Sequence, residues 1–321
     1  MASGRRLSLL ALALLPLLLQ AQTTYKLRRW GVPPAHYSGI TPLGDGRYAV
    51  VSDDEPLSGF YVWRVDIDSL SGRVEGVTNE GFRGVTFDID RDAEGIAFCP
   101  QRQTLFISGE ADQRILEHRL DGSLTGLELE VPASCSIGQI RPNRGFEALG
   151  YDNQRRLFWT CPESPLRGEE DSIVPLLCFG SDLRLLQSIP YQLDAPQSRR
   201  SGREHYHGVV AVTPLTDGSL LVLEREALIT QRYSGSRCWC RLFQFRPAEG
   251  TKMLLAHWRT KFTPTNTRFA NYEGMCLGPQ LADGRQSILL IADSQGGVGR
   301  GPWRLRDKLR VLELPLSAGN E

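Results

Sequence analysis

The chain has 321 residues, with 37 basic and 37 acidic side chains and a formal net charge of zero. That balance excludes an electrostatic drive toward nucleic acid, which needs a basic excess to displace counterions. Only four of the cations are lysines (Lys26, Lys252, Lys261 and Lys308); the rest are arginines, which suit bidentate phosphate or carboxylate contacts, although genome composition explains the bias equally well.

The first element is a targeting segment. Arg5 and Arg6 form a basic region, Leu7 to Leu19 an apolar one, and Leu19-Gln20-Ala21 a cleavage site. Residues 1–21 therefore read as a signal peptide, with an uncleaved anchor as the alternative. The apolar run falls short of the ~20 residues of a membrane span, and no later stretch could cross a bilayer. The expected product is an exported, periplasmic or extracellular domain over residues 22–321. Seven cysteines follow, at positions 99, 135, 161, 178, 238, 240 and 276. Export permits pairing, but an odd number leaves at least one thiol free or bonded to another chain. Cys238-Trp239-Cys240 resembles half of a metal site, yet no second pair stands at zinc-finger spacing, and no pairing is assigned.

The body of the chain repeats. "HYSGI", "DAEGI", "GFEAL", "HYHGV" and "NYEGM" share one pattern, centred on Ser38, Glu94, Glu147, His207 and Glu273 at intervals of 56, 53, 60 and 66 residues. Each copy leads through a turn into a short apolar run ending in polar or acidic residues: "YAVVSDD", "LFISGE", "LFWTCPE", "LLVLERE" and "ILLIADS". A third strand is legible in most units, such as "FYVWRVDI" and "KLRVLEL", and a weaker fourth, such as "GRVEGVT" and "KMLLAHW". Asp-Gly turns, short strands and the lack of helical periodicity indicate an all-β protein. Four strands per unit at this period predict a β-propeller. Five copies favour five blades, with a sixth, degenerate blade as the alternative. The fifth unit runs out of chain before its fourth strand, so the N-terminal "TYKLRRWGV" is expected to supply it and close the ring.

In a propeller the innermost strands line a central channel, so the repeat brings Glu94, Glu147 and Glu273 together with Ser38 and His207 at one mouth. The ends of the second strands add Asp53, Asp54, Glu110, Glu163, Glu224, Glu226 and Asp293. Carboxylates crowded in this way either rise in pKa or bind a cation. Oxygen-rich clusters favour hard cations, so Ca²⁺ held by Glu94, Glu147 and Glu273 is the expected cofactor. Such an ion polarises an ester oxygen or activates water. His207, with His36 and His205 in equivalent positions two residues before the repeat centre, is the candidate acid or base. Arg83, Arg268 and Arg300 are candidates for holding an anionic substrate, among several arginines that include Arg144, Arg203 and Arg225. Tyr37, Tyr206 and Tyr272 share one repeat position that suits packing between blades. Nucleophile-elbow, P-loop, dinucleotide and zinc-protease signatures are absent from the sequence. The glycine-rich "SQGGVGRGP" reads as a loop over the channel.

The segments "DRDAEGIAF", "NRGFEALGYD" and "NYEGMCLGPQLADGRQSILLIADSQ" resemble the esterase-like-activity-of-phytase family, the phytase-like propeller domain. The resemblance runs from Ser38 to Leu314. It implies a secreted β-propeller with esterase or phosphoesterase activity, and by motif it points to Glu94, Glu147, Glu273 and Asp293. Ser38 and His207 stand where glutamate would match. The combined expectation is an exported hydrolase of a small phosphoester or carboxylic ester, dependent on a divalent cation, with His207 as base and Asp293 as a further site acid. The alternatives are a metal-dependent lactonase, a glycosidase with paired carboxylates, and a non-catalytic propeller that binds a glycan or protein and uses calcium structurally.

Overall fold

The computed structural model describes residues 23–315, apart from 200, 201, 203, 232, 264, 265, 295, 296 and 298–303. The signal segment and Arg300 lie outside the described residues. Five antiparallel sheets follow one another along the chain. Blade 1 comprises Tyr37–Gly44, Arg47–Ser52, Ser58–Ile67 and Val74–Val85, from the channel outward. Blade 2 comprises Ala93–Cys99, Thr104–Gly109, Ile115–Arg119 and Leu124–Glu128, and blade 3 Ala148–Asp152, Leu157–Cys161, Ile173–Phe179 and Leu185–Gln192. Blade 4 comprises Glu204–Pro214, Leu220–Ile229, Arg237–Arg246 and Thr251–Thr263, with the two-residue strand Asn266–Thr267 on its outer edge. Blade 5 comprises Asn271–Gln280, Gln286–Asp293 and Lys308–Leu314, and its outermost strand is Thr23–Lys26. The molecule is a five-bladed propeller, so the six-bladed alternative is set aside. The N-terminal strand pairs antiparallel with Lys308–Leu314, Tyr25 opposite Leu309, and closes the ring as the pattern predicts.

Five buried apolar clusters fill the five spaces between neighbouring blades. This explains why the second strands read as unbroken apolar runs: both of their faces are covered. In blade 5, Leu289 and Ile291 pack toward blade 1, while Ile288, Leu290 and Ala292 pack toward blade 4. In blade 4, Leu220 and Val222 face blade 3 and Leu221 and Leu223 face blade 5. Tyr37 and Tyr272 are buried in these spaces, edge-on to Trp63 at 4.7 Å and to Trp258 at 5.8 Å. All seven cysteines are buried and free, which answers the pairing question for this structure.

The small residue that follows each repeat centre sets how closely the inner strands approach. A Cβ on Gly39, Gly208 or Gly274 would collide with the backbone carbonyl oxygen of Glu94, Glu163 or Ser38, each on a neighbouring blade. Gly208 is the tightest of these. Gly208→Ala is expected to destabilise the fold by about 2 kcal/mol or more, as overpacking of a rigid contact does; a urea unfolding curve checks this, and an unshifted midpoint would refute it.

One end of the channel is apolar. Ile40, Ile96, Leu149, Val212 and Met275, one from each inner strand, surround a small cavity of about 190 Å³ there. The other end gathers the charged repeat positions.

Candidate functional site

The inner strands deliver their central residues by leaving the ladder. Register shifts fall between Tyr37 and Gly39, between Ala93 and Ile96, and between Tyr272 and Gly274. The residues released are Ser38, Glu94 with Gly95, and Glu273. A bulge re-aims a side chain that regular pleating would direct into a blade face. Glu147 lies just before its strand and needs no bulge. Blade 4 differs: its shift falls between Val209 and Ala211, so His207 stays in the ladder opposite Glu226. Its Nε2 lies 3.3 Å from Arg241, and burial, then Arg241, lower its pKa.

With no glutamate at its own repeat position, blade 4 sends a cation instead. Arg225 stands opposite Gly208 in the ladder. The guanidinium is 4% exposed. One nitrogen donates to Glu273 at 2.6 Å and to Asn271 at 3.1 Å; the other donates to Glu163 at 2.5 Å and lies 3.6 Å from Glu147. Four residues of blades 3 and 5 thus meet one arginine from blade 4. Arg144 adds a second cation at 2.9 Å from Glu163, and its guanidinium covers the Tyr206 ring at 4.1 Å. Burial pushes Glu163 up, but Arg225 and Arg144 outweigh it and hold the carboxyl below its ordinary range. Burial holds Glu147 and Glu273 well above that range, against the pull of Arg225.

Among the described residues, Glu94 has no such partner. Burial and then Glu147, Glu273, Asp53 and Asp92 raise it well above the usual carboxylate value. Oxygens of Asp53, Asp92 and Glu94 all lie within 4.8 Å of one another. Asp53 comes from the turn after the second strand of blade 1, and Asp92 from the turn into blade 2, where its backbone is left-handed at φ 53°. Burial and then Glu110, Asp53 and Asp90 raise Asp92 to about 7. His36 Nδ1 lies 3.2 Å from Asp53, and this contact, with burial opposing it and Asp293 assisting, raises His36 to about 9.

The three expected metal ligands are therefore close but unlike. Glu147 and Glu273 share an arginine, while Glu94 sits in an all-oxygen trio with Asp53 and Asp92. Asp293 is buried opposite Asn271, and its charge acts on Glu273 and His36. Arg83 lies on the outermost strand of blade 1 and donates to the Leu120 carbonyl at a blade 2 turn, outside the group at the mouth. Arg268 is exposed and lines a cleft between blades 4 and 5. Neither arginine joins His207 and the carboxylates. Sequence reasoning missed Asp92 as a site residue, although it opens the second repeat copy two positions before Glu94. It also counted Arg225 only as one substrate-binding arginine among several.

The family profile described as "Phytase-like: Esterase-like activity of phytase" matches residues 34–295. The chain belongs to the phytase-like family. This phytase-like propeller matches no curated protein. Among solved structures, it is similar to an endo-arabinase from Bacteroides thetaiotaomicron, at 14% identity and TM-score 0.51 over 92% of this chain and 98% of the other. A protein from Lactobacillus plantarum is 16% identical with TM-score 0.36; the match covers 70% of this chain and 55% of that one. A periplasmic gluconolactonase from Pseudomonas aeruginosa is 14% identical with TM-score 0.41, over 88% and 89% of the two chains. At such identities the likeness to the endo-arabinase shows the fold alone. Among the described residues of the phytase-like chain, no helix is long and apolar enough to cross a membrane.

Proposed function

We propose that this phytase-like propeller is an exported hydrolase of a small phosphoester or carboxylic ester, with its site at the acidic mouth of the channel. Export rests on the character of residues 1–21. The observation that carries the reaction is the split among the carboxylates: Arg225 pairs with Glu163 and Glu273 and lies near Glu147, while Asp53, Asp92 and Glu94 converge, among the described residues, with His36 as the cation beside them. Three carboxylates in one place with a single histidinium to offset them fit a hard divalent cation, Ca²⁺ first. Asp53, Asp92 and Glu94 would hold it, in place of the Glu94, Glu147 and Glu273 set read from the repeat. When bound, it supplies a Lewis acid for an ester oxygen and a more acidic water. His36 carries a proton at neutral pH and offers it at the rim. His207, whose pKa burial and then Arg241 lower, is the candidate base of this reading. Arg144, half-buried beside Glu163, is placed to bind an anionic group. A lactone is a cyclic ester and belongs to the same chemistry, so a lactonase is the nearest neighbour of this reading.

The test compares hydrolysis of p-nitrophenyl phosphate, p-nitrophenyl acetate and gluconolactone in Ca²⁺ and in EDTA. One of the three is expected to turn over in Ca²⁺ only. Glu94→Gln and Asp92→Asn are each expected to lower that rate about 100-fold or more, the usual scale for removing a group that acts on the reacting atoms. Turnover of none of the three by a protein with a normal melting curve would sink the enzyme reading and favour a binding propeller.

A further inference from the structure

Two of the seven cysteines are in contact. Cys238 and Cys240 lie two residues apart on Arg237–Arg246, the third strand of blade 4, so the pleat turns both to one face. That face packs toward blade 5, and the two Sγ atoms are 3.7 Å apart. Both side chains are buried. Their ladder partners on the outer strand, Thr260 and Trp258, line the cleft between blades 4 and 5, so this cleft opens next to the pair.

The surroundings suit one thiolate and one thiol. The Cys240 S–H donates to Cys238, and this bond lowers the Cys238 pKa, with Arg225 and the Tyr272 backbone N–H assisting against burial. Burial, and then Cys238 itself, raise Cys240 well above the ordinary thiol value, against Arg310 and Arg225. A nucleophilic sulfur thus sits beside a second sulfur able to resolve it, the arrangement of oxidisable cysteines. The same two arginines oppose a metal cation at this place, which separates the pair from the half metal site that Cys238-Trp239-Cys240 resembles in the sequence.

We propose that Cys238 and Cys240 are a reversible modification site, a dithiol that a small peroxide converts to a disulfide within the folded chain. The Cys238 sulfur attacks one peroxide oxygen and the O–O bond breaks, leaving a sulfenic acid and, with one proton taken up, water. The Cys240 sulfur then attacks the Cys238 sulfur. The S–S bond forms as the sulfenic hydroxyl leaves with the Cys240 proton as a second water, so two thiols and one peroxide give one disulfide and two waters. Residues two apart on a strand have Cα atoms about 6.8 Å apart, the upper end of the span a disulfide bridges, so the bond closes under strain. Strained disulfides are the readily reduced ones. This chemistry is independent of what the channel mouth hydrolyses.

Peptide mapping tests it. The folded wild-type chain is treated with hydrogen peroxide, quenched with catalase, blocked with N-ethylmaleimide in urea and digested with trypsin. Arg237 and Arg241 bound the pair, which is released as Cys238-Trp239-Cys240-Arg241. That peptide is expected without label and two hydrogens lighter than its dithiol form. Dithiothreitol added to the folded, oxidised chain is expected to restore labelling of both cysteines. Four results would each overturn the assignment: a peptide that stays doubly labelled, a disulfide that forms only when peroxide is added in urea, a sulfonic acid in place of the disulfide, or a disulfide that dithiothreitol reaches only after unfolding. The map uses the wild-type chain, so no folding defect of a variant enters the result.

Discussion

Arg225→Met is expected to be the most damaging single substitution in the channel. It leaves Glu147, Glu163 and Glu273 enclosed with Arg144 as the remaining cation among the described residues, and removing one partner of a buried ion pair costs about 3–5 kcal/mol. The loss has a defined pH dependence. Glu147 and Glu273 have folded-state pKa values raised above those of the unfolded chain, first by burial. In the window between the ordinary and the raised value, the folded state holds more protons, so stability falls as pH rises. Without Arg225 both values climb further, and the decline steepens. Glu163 has the opposite sign in the wild type: its folded value is depressed, so it contributes stability above the ordinary carboxylate pKa and loses it on acidification. In the variant that contribution disappears. Urea unfolding of both proteins at pH 5 and pH 8 checks this; the variant should recover much of its deficit at pH 5. A deficit that is the same at both pH values would show that Arg225 acts by packing rather than by charge.

The second large effect concerns Glu94 and has opposite signs with and without cation. In EDTA at pH 8, Glu94→Gln is expected to stabilise the protein by about 1–2 kcal/mol, because it removes a charge that burial and four neighbouring carboxylates oppose. That corresponds to a melting temperature several degrees higher, at roughly 2–4 °C per kcal/mol for a chain of this class. Ca²⁺ at about 100 times its dissociation constant should stabilise the wild type by roughly 2.7 kcal/mol through mass action, and should do little for the variant. Melting curves of both proteins in EDTA and in Ca²⁺ decide the matter without any substrate. A wild-type curve indifferent to Ca²⁺ would remove the cation from the proposed mechanism, while a variant that still responds would place the ion elsewhere.

The repeat is legible in the sequence because each blade solves the same problem locally. A polar residue must leave the strand at the channel, a small residue must let the next blade approach, and an apolar run must cover two faces at once. Those demands act on neighbouring residues, so "DAEGI" and "NYEGM" display them in one line of text. The same reasoning finds the closing strand, since Lys308–Leu314 would otherwise present an unpaired edge.

The copies, however, look more alike than they are. His207 occupies the repeat centre of blade 4, but that blade shifts register beyond it, so the side chain stays in the ladder opposite Glu226. The cation in the channel comes from the second strand, as Arg225, which pairs with Gly208 where that glycine lets the Glu163 backbone close in. Arg83 and Arg268 are near the mouth in sequence and on outer parts of blades in space. Asp92 was visible as a letter but not as a site residue, because its role depends on a left-handed turn that brings it to Asp53 on another blade.

By itself, then, the sequence favoured five blades over six and predicted the closure of the ring and the gathering of the acids at one end of the channel, because periodic burial and turn chemistry are written in adjacent residues. Only the tertiary structure decided which acids are compensated and which are left to bind something. Charge compensation depends on distances of 3–5 Å between residues on different blades, and one bulge or one glycine changes which side chains meet.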